Sequence, residues 1–493
     1  MIQTCLLYFD SIKMDTSGSF QQFPSNLATH GFDVKYPIHF ASSPGRMDVL
    51  GGIADYSGSR VIQMPIESHT SAYVQRKWKS KKPDGGTITL TSISNAGQHT
   101  KRFAKIPMCT FFVDNRETVL NKYENLNSAF SQDNKWCAYI IGPILVCAKE
   151  NNIQLSIKDN FVICITSSVP EGKGVSSSAA VEIASSMAFL SLLGLSLSTN
   201  KVRKHVPLYS FFAENTIVGV PCGMMDHLAC FYGKLKHLTP FTCSLPPLMG
   251  KVQEFSEKNL RLWGIDSTVR HFNGGSNYAH VRAAAFMGRH IIMKESLLSR
   301  TLETLCSINR VYNSEQFNKL HEFIEMNLPE AITGNEFIEI YGYDHGDEIT
   351  LPISRESVYY IRASVDLALR EDVRVRKFEQ ILHRDLVQMD GYALGVLLRD
   401  SHTSYSRCSM GSPTTEILIN LLDIPHIFGA RISGGGCGGL VICLTNDSEE
   451  AEEVVKEAVK KFSALQNLGA GQVRLFKGSS DGANISELLF HFL

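Results

Sequence analysis

The stretch Val169-Pro170-Glu171-Gly172-Lys173-Gly174-Val175-Ser176-Ser177-Ser178-Ala179-Ala180 constrains this chain more than any other. A β-branched run, Phe161 to Thr166, leads into it and reads as a buried strand. Val181, Ala184, Met187, Ala188 and Leu192 leave it at helical spacing. A strand that passes through glycines and serines into a helix can build an anion cradle. Glycine lets the backbone approach closely, and the free N–H groups of the first helical turn point at the ligand. No Gly-Lys-Ser/Thr closes the loop, so it is not the Walker pattern. Taken alone, a Gly/Ser loop capping a core helix explains the same residues equally well.

The rest of the chain sets the context. Of 493 residues, 44% are apolar and 20% charged, an ordinary globular balance that at this length predicts two to three domains. The net charge of −1 supplies no bulk field for nucleic acid or an anionic membrane. The longest apolar patch, Ala138 to Ala148, is broken by Gly142-Pro143 and reads as core rather than as a membrane span. The apolar run Cys5 to Phe9 has no basic residue before it and is too short for a secretory signal. Twelve cysteines are scattered without a C-x-x-C pair, which predicts buried thiols, a cytoplasmic location and no structural zinc.

Met1 to about Lys35 is polar and reads as a loose N-terminal extension. Ser43-Pro44-Gly45-Arg46 predicts a turn after a strand at His39, and Val61 to Met64 and Thr70 to Gln75 read as two strands. Pro83-Asp84-Gly85-Gly86 is a hairpin signal, Asp133 to Lys149 a helix, and Leu208 to Thr216 another that contains Glu214. Leu262 to Asp266 reads as a strand, and His271 to Gly275 as a turn before a helix with Tyr278 and Arg282. Residues 300–405 are helical by pattern, rich in charge and otherwise silent. A second glycine loop, Gly434 to Gly439, enters the strand Leu440 to Leu444. A capped amphipathic helix follows, lined by Ala451, Val454, Val455, Ala458, Val459 and Phe462.

Three separated segments together resemble one superfamily, the GHMP kinases (galactose, homoserine, mevalonate and phosphomevalonate). Pro44 to Gly58 is similar to the signature of its galactokinase-type branch, the cradle to the second motif, and Gly434 to Gly439 to the third. Pro221-Cys222-Gly223-Met224-Met225-Asp226 matches the loop that carries the catalytic aspartate in sugar kinases of this group. Arg46 to Gly58, the cradle, and Trp263 to Ser267 followed by Arg270-His271 most resemble the plant-type L-arabinose kinases, in their kinase part. The resemblance implies an α+β fold of two domains with the site in the cleft. Residues 36–215 would form a domain like domain 2 of ribosomal protein S5, with a left-handed βαβ crossover, and 216–493 the C-terminal GHMP domain.

What the resemblance implies for the site follows residue by residue. Glu171, Gly172, Lys173, Gly174, Val175, Ser176, Ser177, Ser178 and Ala179 would hold ATP, with Ser178 and Glu214 ligating magnesium. Asp226 would act as base on the anomeric hydroxyl of a sugar, with Arg46 beside it stabilising charge. Asp55 would bind vicinal hydroxyls, for which an acceptor-only carboxylate is suited. Gly223 would line the pocket and Tyr278 would close it, although a half-buried helix tyrosine explains Tyr278 nearly as well. Each also has a plain reading: Arg46 paired with Asp48, Ser178 a helix cap, Lys173 a solvent-facing lysine.

One departure bears on the sugar. Galactokinases have Glu-His where this chain has Gly52-Ile53, beside the sugar's C6 hydroxymethyl group. A pentopyranose lacks that group, and glycine with isoleucine removes a polar demand that would otherwise go unmet. The expected activity is therefore an ATP- and magnesium-dependent sugar-1-kinase for L-arabinose. The alternatives are another GHMP sugar kinase (galactose, glucuronate or fucose) and a catalytically silent sugar sensor.

Overall fold

The computed structural model describes residues 27–488 apart from 34–35, 84, 96–99, 114–116, 119–125, 127–128, 131, 196–204, 256–257, 271–275, 296–301, 312–313, 348–351, 385–387, 470, 479–481 and 483. The polar extension up to residue 26 and the expected turn at His271–Gly275 lie outside the described residues. Within 27–35, Leu27–His30 is one 3-10 turn and Phe32 is buried against Ile38, Tyr73 and Val162, so this part packs on the sheet.

Two long strands organise the first layer. β1 (Ile38–Leu50) and β2 (Arg60–Lys77) pair antiparallel along most of their length, with register shifts between Pro44 and Arg46 and between Asp48 and Leu50. The expected turn at Ser43–Arg46 is therefore a bulge inside one strand. Proline cannot donate to the ladder, so a bulge absorbs it. Likewise the two strands expected at 61–64 and 70–75 are one, because apolar residues line both faces and β1 pairs with β2 on both sides of the bulge.

β3 (Thr87–Ser94) pairs antiparallel with β4 (Thr100–Pro107) and parallel with β5 (Asn160–Ser167), which follows the helix α1 (Ala138–Glu150). The segment around Pro83-Gly85-Gly86, whose Asp84 lies outside the described residues, is thus a connector. β2 pairs with β5 rather than with β3, so no hairpin forms across it. From the cradle springs α2 (Ser177–Leu192), which packs on β1, β2 and α1; α3 (Val206–Ala213) runs into a π turn, Glu214–Val218. Then comes α4 (Met225–Tyr232), and β6 (His237–Thr242) pairs with Arg60–Gln63 of β2. The division expected at residue 215/216 runs through this layer.

The second layer is a four-stranded sheet of β7 (Leu260–Asp266) and three later strands. α5 (Ser276–Glu295), α6 (Ile361–Leu382) and α7 (Gln388–Arg407) precede them. The later strands are β8 (Ile427–Ile432), β9 (Leu440–Asn446) and β10 (Leu475–Lys477), in the order β8-β9-β7-β10. Between β9 and β10, α8 (Glu449–Leu465) is capped by the Ser448 hydroxyl, which accepts from Ala451 N, and buries Ala451, Val455, Ala458 and Phe462. A last strand, β11 (Asn484–Leu488), returns to pair with Ile38–Ser42 of β1.

The residues between 300 and 405 position the turn after β1. Glu371 of α6 accepts from Gly51 N (3.3 Å) and from the Ser401 hydroxyl (2.8 Å). Asp372 accepts from Arg60 N (2.8 Å), and Glu379 forms an ion pair with the Arg60 side chain. One helix therefore grips both ends of residues 51–60. The acids that make α6 look solvent-facing in sequence are instead buried here, which is where carboxylates must be paired.

Candidate active site

The cradle is built by backbone conformation. Gly172, Gly174 and Ser176 take φ of +69°, +70° and +58°, alternate residues in the left-handed region. Alternation of this kind turns successive N–H groups to one side and makes an anion-binding concavity. Ser176 ends it without capping α2 through its side chain, so the first N–H groups of α2 stay open to a ligand. The late glycine loop packs against it, with Cβ space at Gly439 closed by Gly174 N at 3.1 Å. Glu171 lies on the rim and pairs with Arg102, both partly exposed (2.7 Å). Lys173 is not free in solvent: its Nζ pairs with Asp266 at 3.1 Å.

Arg46 lies beneath the cradle. It donates through Nη1 to Gly174 O (2.7 Å) and through Nε (2.9 Å) and Nη2 (2.5 Å) to one oxygen of Asp226. Asp48 does not compete for it. Its carboxylate is held by Arg431 Nη1 (3.0 Å), Gln63 Nε2 (2.7 Å) and Gly434 N (3.1 Å). Burial opposes charge on Asp226, yet the Arg46 guanidinium and the Ser176 hydroxyl hold its carboxyl below the ordinary range. The aspartate is thus ionised and aimed by a cation that cannot lose its proton.

Asp55 is brought to the same place by the 3-10 turn Gly52–Ser57. It is 3% exposed, and its oxygens accept from Met225 N (3.2 Å) and Tyr56 N (2.8 Å). Gly223 makes room for it, since a Cβ there would stand 1.7 Å from Asp55 Oδ2. Burial and the nearby Asp226 charge push the Asp55 carboxyl up to about 7, partly offset by the Met225 amide and by Arg282. Tyr278 is buried with Ile53, Tyr405 and Ile432, and its ring meets Tyr56 edge-on.

Gly52 has a neighbour that sequence did not reveal. A Cβ at 52 would lie 1.6 Å from the Tyr405 hydroxyl, which accepts from Ile53 N (2.8 Å) and donates to Gly434 O (3.0 Å). Arg282 was also missed. It pairs with Asp347 (2.7 Å) and donates to Cys222 O (2.8 Å), fixing the loop before Asp226. No local pattern announces either contact, because the partners lie far apart in the chain.

Behind the aspartate is a second charged group. His227 Nε2 contacts Glu182 Oε2 at 2.7 Å and Glu214 Oε2 at 3.3 Å, all three being essentially unexposed. Those two carboxylates override burial and raise the imidazole to about 10, so it is a cation. Glu182 was legible in principle: it is the one charged residue between Ala179 and Leu193. Glu214 Oε1 is buried with no hydrogen-bond partner, which fits an oxygen awaiting a hard cation. Ser178 stands one turn before Glu182 on α2 and so shares its face.

Residues 138–234 match the GHMP kinases N terminal domain and 382–464 the GHMP kinases C terminal domain. The two matches bracket the cradle, the aspartate and the late glycine loop, and the chain belongs to the GHMP kinase superfamily. It is 34% identical to the L-arabinokinase of Arabidopsis thaliana over 92% of its own length, and spans 46% of that protein. It is 24% identical to the galactokinase of Canis lupus familiaris, covering 90% of this chain and 91% of that one. Its fold superposes on Lactococcus lactis galactokinase, crystallised with galactose, with a TM-score of 0.66 at 17% identity, covering 94% and 98% of the two chains.

Proposed function

We propose that the protein is an ATP-dependent sugar-1-kinase whose acceptor is L-arabinose. The observation that carries the reading is Arg46, which ties the anion cradle at Gly174 to the carboxylate of Asp226 in one set of hydrogen bonds. Phosphoryl transfer needs a phosphate held, a nucleophile positioned and charge stabilised, and this arrangement provides each. The cradle and the first turn of α2 bind the nucleotide phosphates. Asp55 and Tyr278 orient the sugar. Asp226 accepts the proton of the anomeric hydroxyl as its oxygen bonds to the γ-phosphorus and the bond to ADP breaks. Arg46 stabilises the equatorial charge. A magnesium ion, for which Glu214 and Ser178 supply oxygens, would neutralise the β- and γ-phosphates.

The choice of a pentose rests on the resemblance to L-arabinokinase and on the wall at Ile53, which is buried among Tyr278, Tyr405 and Met410. There is no room for an acceptor side chain at 52. All eleven described cysteines are free thiols, and no helix among the described residues is long and apolar enough to cross a membrane, in keeping with a cytoplasmic enzyme.

A coupled ADP-release assay over L-arabinose, galactose, glucuronate and fucose tests the reading. L-Arabinose should give the highest kcat/KM, and equal or better turnover of galactose would replace it with a galactokinase. Placing Glu and His at 52 and 53 should shift preference toward galactose only when Tyr405 is shortened as well.

A further inference from the structure

The cluster behind the active site is short of partners. Glu182 and Glu214 are buried, and His227 Nε2 touches both. Each carboxylate keeps one buried oxygen without a hydrogen-bond partner, and so does His227 Nδ1. Orphaned buried polar atoms are costly, and Glu214 Oε1, on the carboxyl that meets His227 Nε2, points to a missing partner.

The donor set says which ion. Oxygen and nitrogen are joined by sulfur: ligand atoms of Glu214, Cys222 and His227 all lie within 4.8 Å of one another. Asn215 Nδ2 donates to Cys222 Sγ at 3.2 Å, a contact that would steady a thiolate. Tetrahedral zinc with bonds of about 2.0–2.1 Å spaces its nitrogen and oxygen ligands about 3.3–3.4 Å apart. The His227 Nε2 to Glu214 Oε2 separation is 3.3 Å. Magnesium, which demands oxygen, has no use for the thiol or the imidazole.

We propose that Glu214, Cys222 and His227 form a site for a borderline transition-metal ion of the zinc or cobalt class. The ion takes the imidazole nitrogen and the Cys222 thiolate, so the thiol proton, and any proton on that nitrogen, leaves as the ion enters. Cys222 is half-buried on the loop before Asp226 and gives the ion its way in. On the kinase reading, an ion here takes Glu214 away from magnesium. The site itself does not depend on that reading.

Cobalt(II) chloride added to chelator-treated protein is the test, read by absorption rather than by activity. One equivalent should bring up an intense near-ultraviolet thiolate-to-cobalt band, abolished by zinc but not by excess magnesium. Cys222→Ser should remove the band and weaken cobalt binding by more than the roughly 10–100-fold that loss of an outer-shell partner costs. Absence of the band at saturating cobalt, or an unchanged band in Cys222→Ser, overturns the proposal. Zinc-edge X-ray absorption of the unmodified protein is a check that needs no variant. One sulfur among nitrogen and oxygen ligands supports the site; a sulfur-free shell overturns it.

Discussion

Asp226 and His227 are adjacent in sequence and belong to two clusters that solve the same problem differently. Asp226 is paired with an arginine whose charge is permanent, and part of its side chain remains open, at 20% exposure. His227 is sealed between two glutamates, and its charge is a proton held by its partners. The first arrangement keeps an acid ionised and accessible. The second keeps its charge out of solvent. One helix start, the first turn of α4, thus presents a reactive face and a sealed face.

Breaking the first cluster should have the larger effect on turnover. Asp226→Asn should lower kcat by about 10²–10⁴-fold, the range for a lost general base, while nucleotide binding is kept. Turnover near that of the parent protein would mean that another group takes the proton. Breaking the second should act on stability. His227→Gln leaves two buried carboxylates without their cation and should cost about 3–5 kcal/mol, seen as a lower urea midpoint. If kcat fell and the midpoint did not, the cluster would belong to catalysis.

A smaller effect sharpens the difference. Asp55 lies near Asp226, Arg282 only partly offsets burial, and its carboxyl is raised to about 7. A raised acid stabilises the fold below its ordinary pKa and loses that contribution as pH rises through 7. Asp55→Asn should therefore stabilise the protein at pH 8 relative to pH 5. The KM for sugar should fall about tenfold between pH 6 and pH 8 as the acceptor ionises. A flat KM would mean that Asp55 binds sugar equally well in either form.

Legibility followed sequence distance. The cradle could be read because its glycines, serines, strand and helix are contiguous, and conformation at Gly172 and Gly174 is a local property. Arg46, Asp55 and Asp226 were found through motif resemblance, which compensated for separations that periodicity cannot bridge. The acids of α6 could not be read, because Glu371 and Asp372 look like any solvated helix until Gly51 and Arg60 are placed against them. Tyr405 was invisible for the same reason, and it altered the meaning of Gly52. The glycine answers to a tyrosine. Strand extents failed at Pro44, where local turn chemistry lost to a ladder paired over most of two strands.

The return of β11 to β1 has a consequence in the order of synthesis. Residues 38–42 are made hundreds of residues before their partners at 484–488. At about 5–20 residues per second, the ribosome leaves that edge unpaired for tens of seconds. An open strand edge invites pairing with other chains. A nascent chain of this protein should therefore be most exposed to chaperones, and to its own neighbours on a polysome, until β11 emerges.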